Sequence, residues 1–351
     1  MSILKAEDIS HVRFRAPDLE RMQVFLDEFG LQTYIDDDRA LYGRANDGSA
    51  FSHVTVKGKA AFVGLGLRAD SIYDLERLAS AEGVPIEDFA CPGGGKCVRL
   101  EDPDGNLVEV VCDQRRDSPS PTEPEPPVNS ALHKARKSLP VRLIEGPSRV
   151  QRLGHCVLNV KNFRTSEAWY KSRFGFITSD EIEAAPNLAL GAFLRCDRGD
   201  KPTDHHTLFL AQLPGKKGFL HAAFEVAGFN DLMLGHAHLK TTKRRSIWGV
   251  GRHKLGSQIF DYWNDPWGHE LEHWTDGDLF TASDGSHVAT VSDLLEVQWG
   301  MRNPIFQGRF SPSPPLVEKM LALFLRFQRW RQRGVNSGGQ SEAGFTAYWV
   351  W

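Results

Sequence analysis

Two stretches of this chain repeat one pattern, and that repeat constrains the fold more than any other feature. Ile9–Gly30 (ISHVRFRAPDLERMQVFLDEFG) and Leu153–Gly175 (LGHCVLNVKNFRTSEAWYKSRFG) each run from an alternating stretch with an early histidine, through a polar turn and an amphipathic segment, to Phe-Gly. The echo returns at the far end of each half. Asp102-Pro103-Asp104-Gly105 precedes Glu109, and Asp265-Pro266-Trp267-Gly268 precedes Glu272, with the carboxylate six residues after the proline in both. Asp-Pro-x-Gly is turn chemistry, and the alternating run behind it reads as a strand of period two, so Glu109 and Glu272 should hold matching strand positions. The spacing predicts an α+β chain of tandem βαβββ modules, two per domain, whose curved mixed sheets leave a hollow for a metal and a flat substrate.

A length of 351 residues suits about two such domains. The boundary is a polar, proline-rich stretch containing SPSPTEPEPP at Ser118–Pro127. The division expected is therefore residues 1–113, a linker at 114–150, a second domain at 151–282 and a tail at 283–351. In the tail, Leu316–Arg333 has a helical apolar period and Gly334–Gly344 the composition of a flexible stretch; the tail reads as an accessory outside the site. With 42 basic and 45 acidic side chains the net charge is −3, which gives no electrostatic reason to expect nucleic acid or an anionic membrane as partner. The five cysteines are odd in number and lack C-x-x-C spacing, so they read as reduced thiols of a cytoplasmic protein. Met1–Ser10 offers no apolar core for a signal peptide, and no apolar run approaches the roughly 18 residues of a membrane span.

Candidate chemistry concentrates in the second half. His155 opens a strand, His221 lies in FLHAAF and Glu272 in LEH. A lone histidine on an apolar strand is more often a satisfied core residue, but two imidazoles and a carboxylate on one face suit Fe(II), with Mn(II) next, and leave positions for substrate and O2. His205 and His206 are adjacent, so on a strand only one of them could point into the hollow, and periodicity does not choose between them. His236, His238, His269 and His273 form no complete ligand set and read as surface residues or neighbours of the site.

The passage from Gly251-Arg252-His253 through Tyr262, Asp265-Pro266 and Gly268 to Glu272 resembles the signature of the type I extradiol ring-cleavage dioxygenases, catechol 2,3-dioxygenase-like members of the vicinal-oxygen-chelate superfamily. The resemblance covers about residues 1–280, weakly in the first half and strongly in the second. It implies that His155, His221 and Glu272 are the metal ligands, that His206 is the acid–base histidine, and that His253 and Tyr262 stand beside the substrate hydroxyls. It further implies a catechol-type substrate, O2 as co-substrate, and ring opening adjacent to the hydroxyl pair; a homo-oligomer is expected. The first half keeps His11 and Glu109, but the position of His221 falls at about Gly64, so one metal site per chain is expected.

Three departures stand out. Asp261 precedes Tyr262 where the family carries an apolar residue. Lys254-Leu255-Gly256-Ser257 follows His253 where several members carry Asn-Asp. Trp248 replaces an arginine that grips substrate carboxylates, which with Phe193 and Trp267 points to an apolar or aromatic ring substituent. The alternatives are a glyoxalase-like isomerase or epimerase, which consumes no O2, and a non-enzymatic small-molecule binder, which needs no metal triad.

Overall fold

The computed structural model describes residues 2–119, 121, 124–307 and 311–336. The first half runs β1 (Ala6–Ala16), α1 (Leu19–Phe29), β2 (Gln32–Asp36), β3 (Ala40–Arg44), β4 (His53–Lys57), then β5 (Ala61–Ala69), α2 (Ile72–Glu82), β6 (Glu87–Asp88), β7 (Lys96–Glu101) and β8 (Leu107–Cys112). The second runs β9 (Val150–Asn159), α3 (Phe163–Phe174), β10 (Ile177–Ala185), β11 (Leu188–Arg195), β12 (Thr203–Asp204) and β13 (Leu208–Ala211). It continues with β14 (Gly218–Val226), α4 (Phe229–Thr241), β15 (Arg245–His253), β16 (Ile259–Asn264) and β17 (Glu270–Thr275). Each half is thus two βαβββ modules, with the short β12 added to one of them. Two mixed sheets result, ordered β2-β3-β4-β1-β5-β8-β7-β6 and, at the centre of the other, β10-β11-β13-β9-β14-β17-β16-β15.

The repeat has a local physical cause. The polar turn supplies helix caps, because Asp18 accepts from the Arg21 N–H and Asn162 from the Thr165 N–H. Phe-Gly ends both helices, with Gly30 at φ 103° and Gly175 at φ 70°, a left-handed conformation open to glycine. At Gly30 a Cβ would also run into the Ser148 carbonyl that leads into β9, so this glycine lets the halves approach closely. The halves share one apolar core, in which Phe219 of β14 meets Phe14 of β1 edge-on at 5.0 Å and stacks on Phe62 of β5 at 4.7 Å.

Registers in the two sheets superimpose. Ala223 pairs with both His155 and Glu272, as Gly66 pairs with both His11 and Glu109; His221 pairs with Glu270, as Gly64 pairs with Leu107. Gly64 is therefore the counterpart of His221, as the repeat predicts.

The tail departs from its expected role. The short strand β18 (Leu279–Phe280) pairs with β12, while β19 (His287–Thr290) and β20 (Val297–Gly300) extend the second sheet beyond residue 282 at its two edges. A short helix α5 (Val291–Leu295) leads on to α6 (Pro314–Asn336). Val317, Leu321 and Leu325 of α6 are buried in one cluster with Val157, Phe193 and Phe209. Val157 is two residues from His155 on β9, so α6 packs on the face of the sheet that carries the site, and it is not an accessory. The glycine-rich stretch begins inside α6, and from residue 337 it lies outside the described residues. Among the described residues no helix is long and apolar enough to cross a membrane. Leu321→Ala is expected to cost about 2–4 kcal/mol of unfolding free energy through the cavity it leaves. Leu323→Ala, 64 % exposed on the same helix, should stay within about 0.5 kcal/mol. Denaturant titration of the two variants measures the difference.

Candidate metal centre

Three adjacent strands converge on one point. His155 on β9, His221 on β14 and Glu272 on β17 bring one potential ligand atom each to within 4.8 Å of one another. The Nε2 atoms of His155 and His221 stand 3.4 and 3.3 Å from Glu272 Oε2. Glu272 is fully buried, and among the described residues neither of its oxygens has a hydrogen-bond partner. Burial would raise its pKa, but the imidazoles of His155, His253 and His221 hold the carboxyl well below its ordinary range. Burial in turn pushes His221 down to about 3 against the pull of Glu272, so its imidazole is neutral at pH 7. A buried, ionised carboxylate without a donor is costly. With two imidazoles beside it, this donor set fits a divalent cation.

The first half resolves the same charge differently. Glu109 accepts from Arg13 Nε at 2.8 Å and Arg99 Nε at 3.1 Å, and His11 Nε2 lies 2.9 Å away. Burial would raise this carboxyl, yet His11 and Arg13 bring it down to about 2. Arg99 pairs with Glu109 as Tyr262 pairs with Glu272, and Arg13 lies opposite Gly64, the counterpart of His221. Guanidinium groups thus take the place of an ion. Glu109→Gln should leave metal stoichiometry at one per chain while lowering stability by roughly 1–3 kcal/mol, since two charged donors lose their ionic acceptor. Metal analysis beside thermal unfolding separates the two effects.

Around the triad, His253 Nε2 lies 3.1 Å from the Tyr262 hydroxyl and 3.7 Å from Glu272 Oε1. Burial and the nearby Glu272 raise the Tyr262 hydroxyl well above its ordinary value, so it stays protonated. Trp248 stacks on Tyr262 at 5.5 Å and 14°, and its indole N–H donates to the Met301 carbonyl at 2.7 Å, so its polar edge is satisfied away from Tyr262. Phe193 stands 4.7 Å from the His206 ring and stacks on Phe209 at 4.1 Å.

Trp267 does not join this group. It sits in the turn after β16, with its ring 5.6 Å from the Arg21 guanidinium of α1 and packed against the shared core. Adjacency in sequence to a site motif misled here, because the turn carries the residue to the end of the strands.

The expectation that His205 and His206 alternate on a strand also fails. They follow β12 in an irregular segment, both are buried, and their Nδ1 atoms lie 3.0 Å apart. Arg152 fixes the entry to this segment by gripping Asp204 with both terminal nitrogens at 2.6 and 2.7 Å and Glu225 at 2.6 Å. His206 packs against His155 with ring centroids 4.0 Å apart. Burial, then His155 and the other imidazoles, depress its pKa well below 6.5, so it too is neutral. His205 Nε2 is 2.6 Å from Asp180 Oδ2, a partner no local signal in the sequence announced.

Asp261 faces away from the triad, where it accepts from Trp263 Nε1 at 2.6 Å and meets His236 Nδ1 of α4 at 3.0 Å. Strand alternation thus removes this departure from the substrate side. His273 is neither on the surface nor at the triad. It is buried, stacked on Phe29 at 3.8 Å and bonded through Nε2 to the Phe29 carbonyl at 2.7 Å, a tie between the halves. His269 is held by Asp265 at 2.7 Å in the turn.

Comparison with known proteins agrees with this architecture. The chain is 27 % identical over 303 residues to metapyrocatechase 2 of Cupriavidus necator, covering 83 % of this chain and 88 % of that protein. Its fold matches a Mn(II)-bound glyoxalase from Novosphingobium aromaticivorans with a TM-score of 0.70 and 22 % identity, over 89 % of this chain and 97 % of that one. It also matches the 2,3-dioxygenase LapB from Pseudomonas sp. KL28 with a TM-score of 0.67 and 18 % identity, over 82 % and 99 %. The family profile described as Glyoxalase/Bleomycin resistance protein/Dioxygenase superfamily matches residues 152–273, the span that holds all three triad residues. This chain therefore carries, at residues 152–273, a domain of the Glyoxalase/Bleomycin resistance protein/Dioxygenase superfamily.

Proposed function

We propose that this protein is an extradiol dioxygenase that opens a catechol-type ring adjacent to its hydroxyl pair, at an Fe(II) ion held by His155, His221 and Glu272, with Mn(II) as the alternative metal. The observation that carries the reading is the buried Glu272 carboxylate, without a hydrogen-bond partner among the described residues and set between two imidazoles. The sequence likeness to metapyrocatechase 2 supports the substrate class. When bound, the ion supplies Lewis acidity that favours loss of a catechol proton and a path for electrons from the diol to O2.

The protein's own groups then have defined tasks. The protonated Tyr262 hydroxyl and the His253 imidazole, 3.1 Å apart, can hold an ionised substrate oxygen between donors. Neutral His206 can take a proton and return it as the ring opens. Trp248, buried beside Tyr262, and Phe193, buried beside His206, make the surroundings of these groups apolar.

The test is O2 uptake when a panel of substituted catechols is added to anaerobically Fe(II)-loaded protein, followed by the absorbance of the yellow ring-opened product. Uptake matched one-to-one by product is expected. Turnover of a hemithioacetal under nitrogen, with no O2 consumption by any catechol, would replace this reading with the isomerase one, and binding without turnover would favour a sequestering protein.

A further inference from the structure

Three side chains stand in line behind the triad. Asp180 of β10 meets His205 Nε2 at 2.6 Å, and His205 Nδ1 meets His206 Nδ1 at 3.0 Å. Nε2 of His206 has no protein hydrogen bond among the described residues. We propose that Asp180 and His205 are positioning residues that fix which ring nitrogen of His206 carries its proton, an inference that rests on His206 as the acid–base group of the proposed reaction.

The argument is one of donors and acceptors. A carboxylate accepts, so a His205 ring with a single hydrogen places it on Nε2, facing Asp180. In the proposed line His205 has that single-hydrogen form: its Nδ1 then carries a lone pair, which faces a second Nδ1 at 3.0 Å. Two lone pairs at hydrogen-bond distance repel, so His206 donates from Nδ1 and keeps Nε2 bare. The ring next to His155 therefore presents an acceptor, the state needed to take a proton from a substrate hydroxyl. Neither imidazole changes charge in this account. A buried aspartate fixes a histidine tautomer in the same way in the triads of serine hydrolases.

The line is built rather than incidental. The His205 backbone N–H donates to the Asp278 carbonyl at 2.9 Å, and its carbonyl accepts from Ser179 Oγ at 2.6 Å. Its ring lies 5.0 Å from Phe193 and 5.7 Å from Phe280. A Cβ on Gly256 would come 2.9 Å from His205 Nδ1, so the fixed ring leaves room for glycine only. Two other cationic or titratable groups, Arg195 and His287, face Asp180. Buried Arg195 donates to the Thr178 carbonyl and Ser179 Oγ at 2.9 and 3.0 Å, and exposed His287 stands 3.8 Å away.

The first arm of the test is long-range 1H–15N correlation on the metal-free, 15N-histidine-labelled protein, which needs no turnover. The expected spectrum places the His206 proton on Nδ1, and Asp180→Asn, which keeps the shape of the site, should mix the two tautomers. The second arm is kinetic, on Fe(II)-loaded enzyme. Asp180→Asn and His205→Phe should each lower kcat by about 10- to 100-fold with metal content and KM little changed. In a His206→Phe background His205→Phe should add no further loss, because its effect passes through that ring. A hydrogen on His206 Nε2, or fully additive losses in the double variant, would overturn the proposal. If the unaltered enzyme consumes no O2, the dioxygenase reading fails by itself and the tautomer spectrum alone decides the positioning role.

Discussion

Glu272→Gln, His155→Ala and His221→Ala are each expected to strip most of the bound metal and nearly all ring cleavage. The amide that Glu272→Gln introduces would keep the shape of the carboxylate but remove the charge, and a carboxamide gives a dication no counter-charge. The two alanine variants instead remove a lone pair each. The loss has a stability signature as well. A ligand that binds only the folded state at about a thousand times its Kd stabilises it by roughly 4 kcal/mol. Mn(II) should therefore raise the melting temperature of the unaltered protein and leave that of Glu272→Gln unmoved. Metal analysis after desalting and melting with and without Mn(II) provide the check; undiminished metal in all three variants would end the assignment.

His206→Phe should separate chemistry from metal binding. The ring is close in size and packs where the imidazole packs, against His155 and Phe193. Metal content and catechol affinity should hold, while kcat falls by about 10² to 10⁴, the usual worth of one positioned acid–base group. His253→Phe should behave differently and weaken catechol binding too, because its Nε2 lies with the Tyr262 hydroxyl at the place proposed for the substrate oxygens. Anaerobic substrate titration followed by rapid mixing with O2 distinguishes the two. Full turnover without the His206 imidazole would refute its role.

The sequence spoke most clearly where chemistry is local. The Asp-Pro-x-Gly turns, the capping residues Asp18 and Asn162 and the terminating Gly30 and Gly175 act within a few residues, so each half announces its modules. Period two then carries Glu272 onto one face and Asp261 onto the other. What stayed hidden depends on contacts distant along the chain. Asp180 reaches His205 from another strand, and nothing near it marks the partnership. The histidine pair looked like strand because the short β12 ends just before it, and an irregular segment lets both rings turn inward. The apolar period of α6 was readable, but a helix pattern does not say which face of which sheet it covers, and here the choice decided whether the tail belonged to the body.

The different neutralisation of Glu109 and Glu272 has a consequence for how the molecule comes apart. One half carries its counter-charge covalently, as Arg13 and Arg99, and keeps it under all conditions. The other depends on a cation that a chelator can take away. Chelation should thus loosen the chain unevenly: amide hydrogens of β9, β14 and β17 would exchange faster, while those of β1, β5 and β8 keep their protection. Two halves of nearly the same architecture would then report, strand by strand, whether the site is loaded.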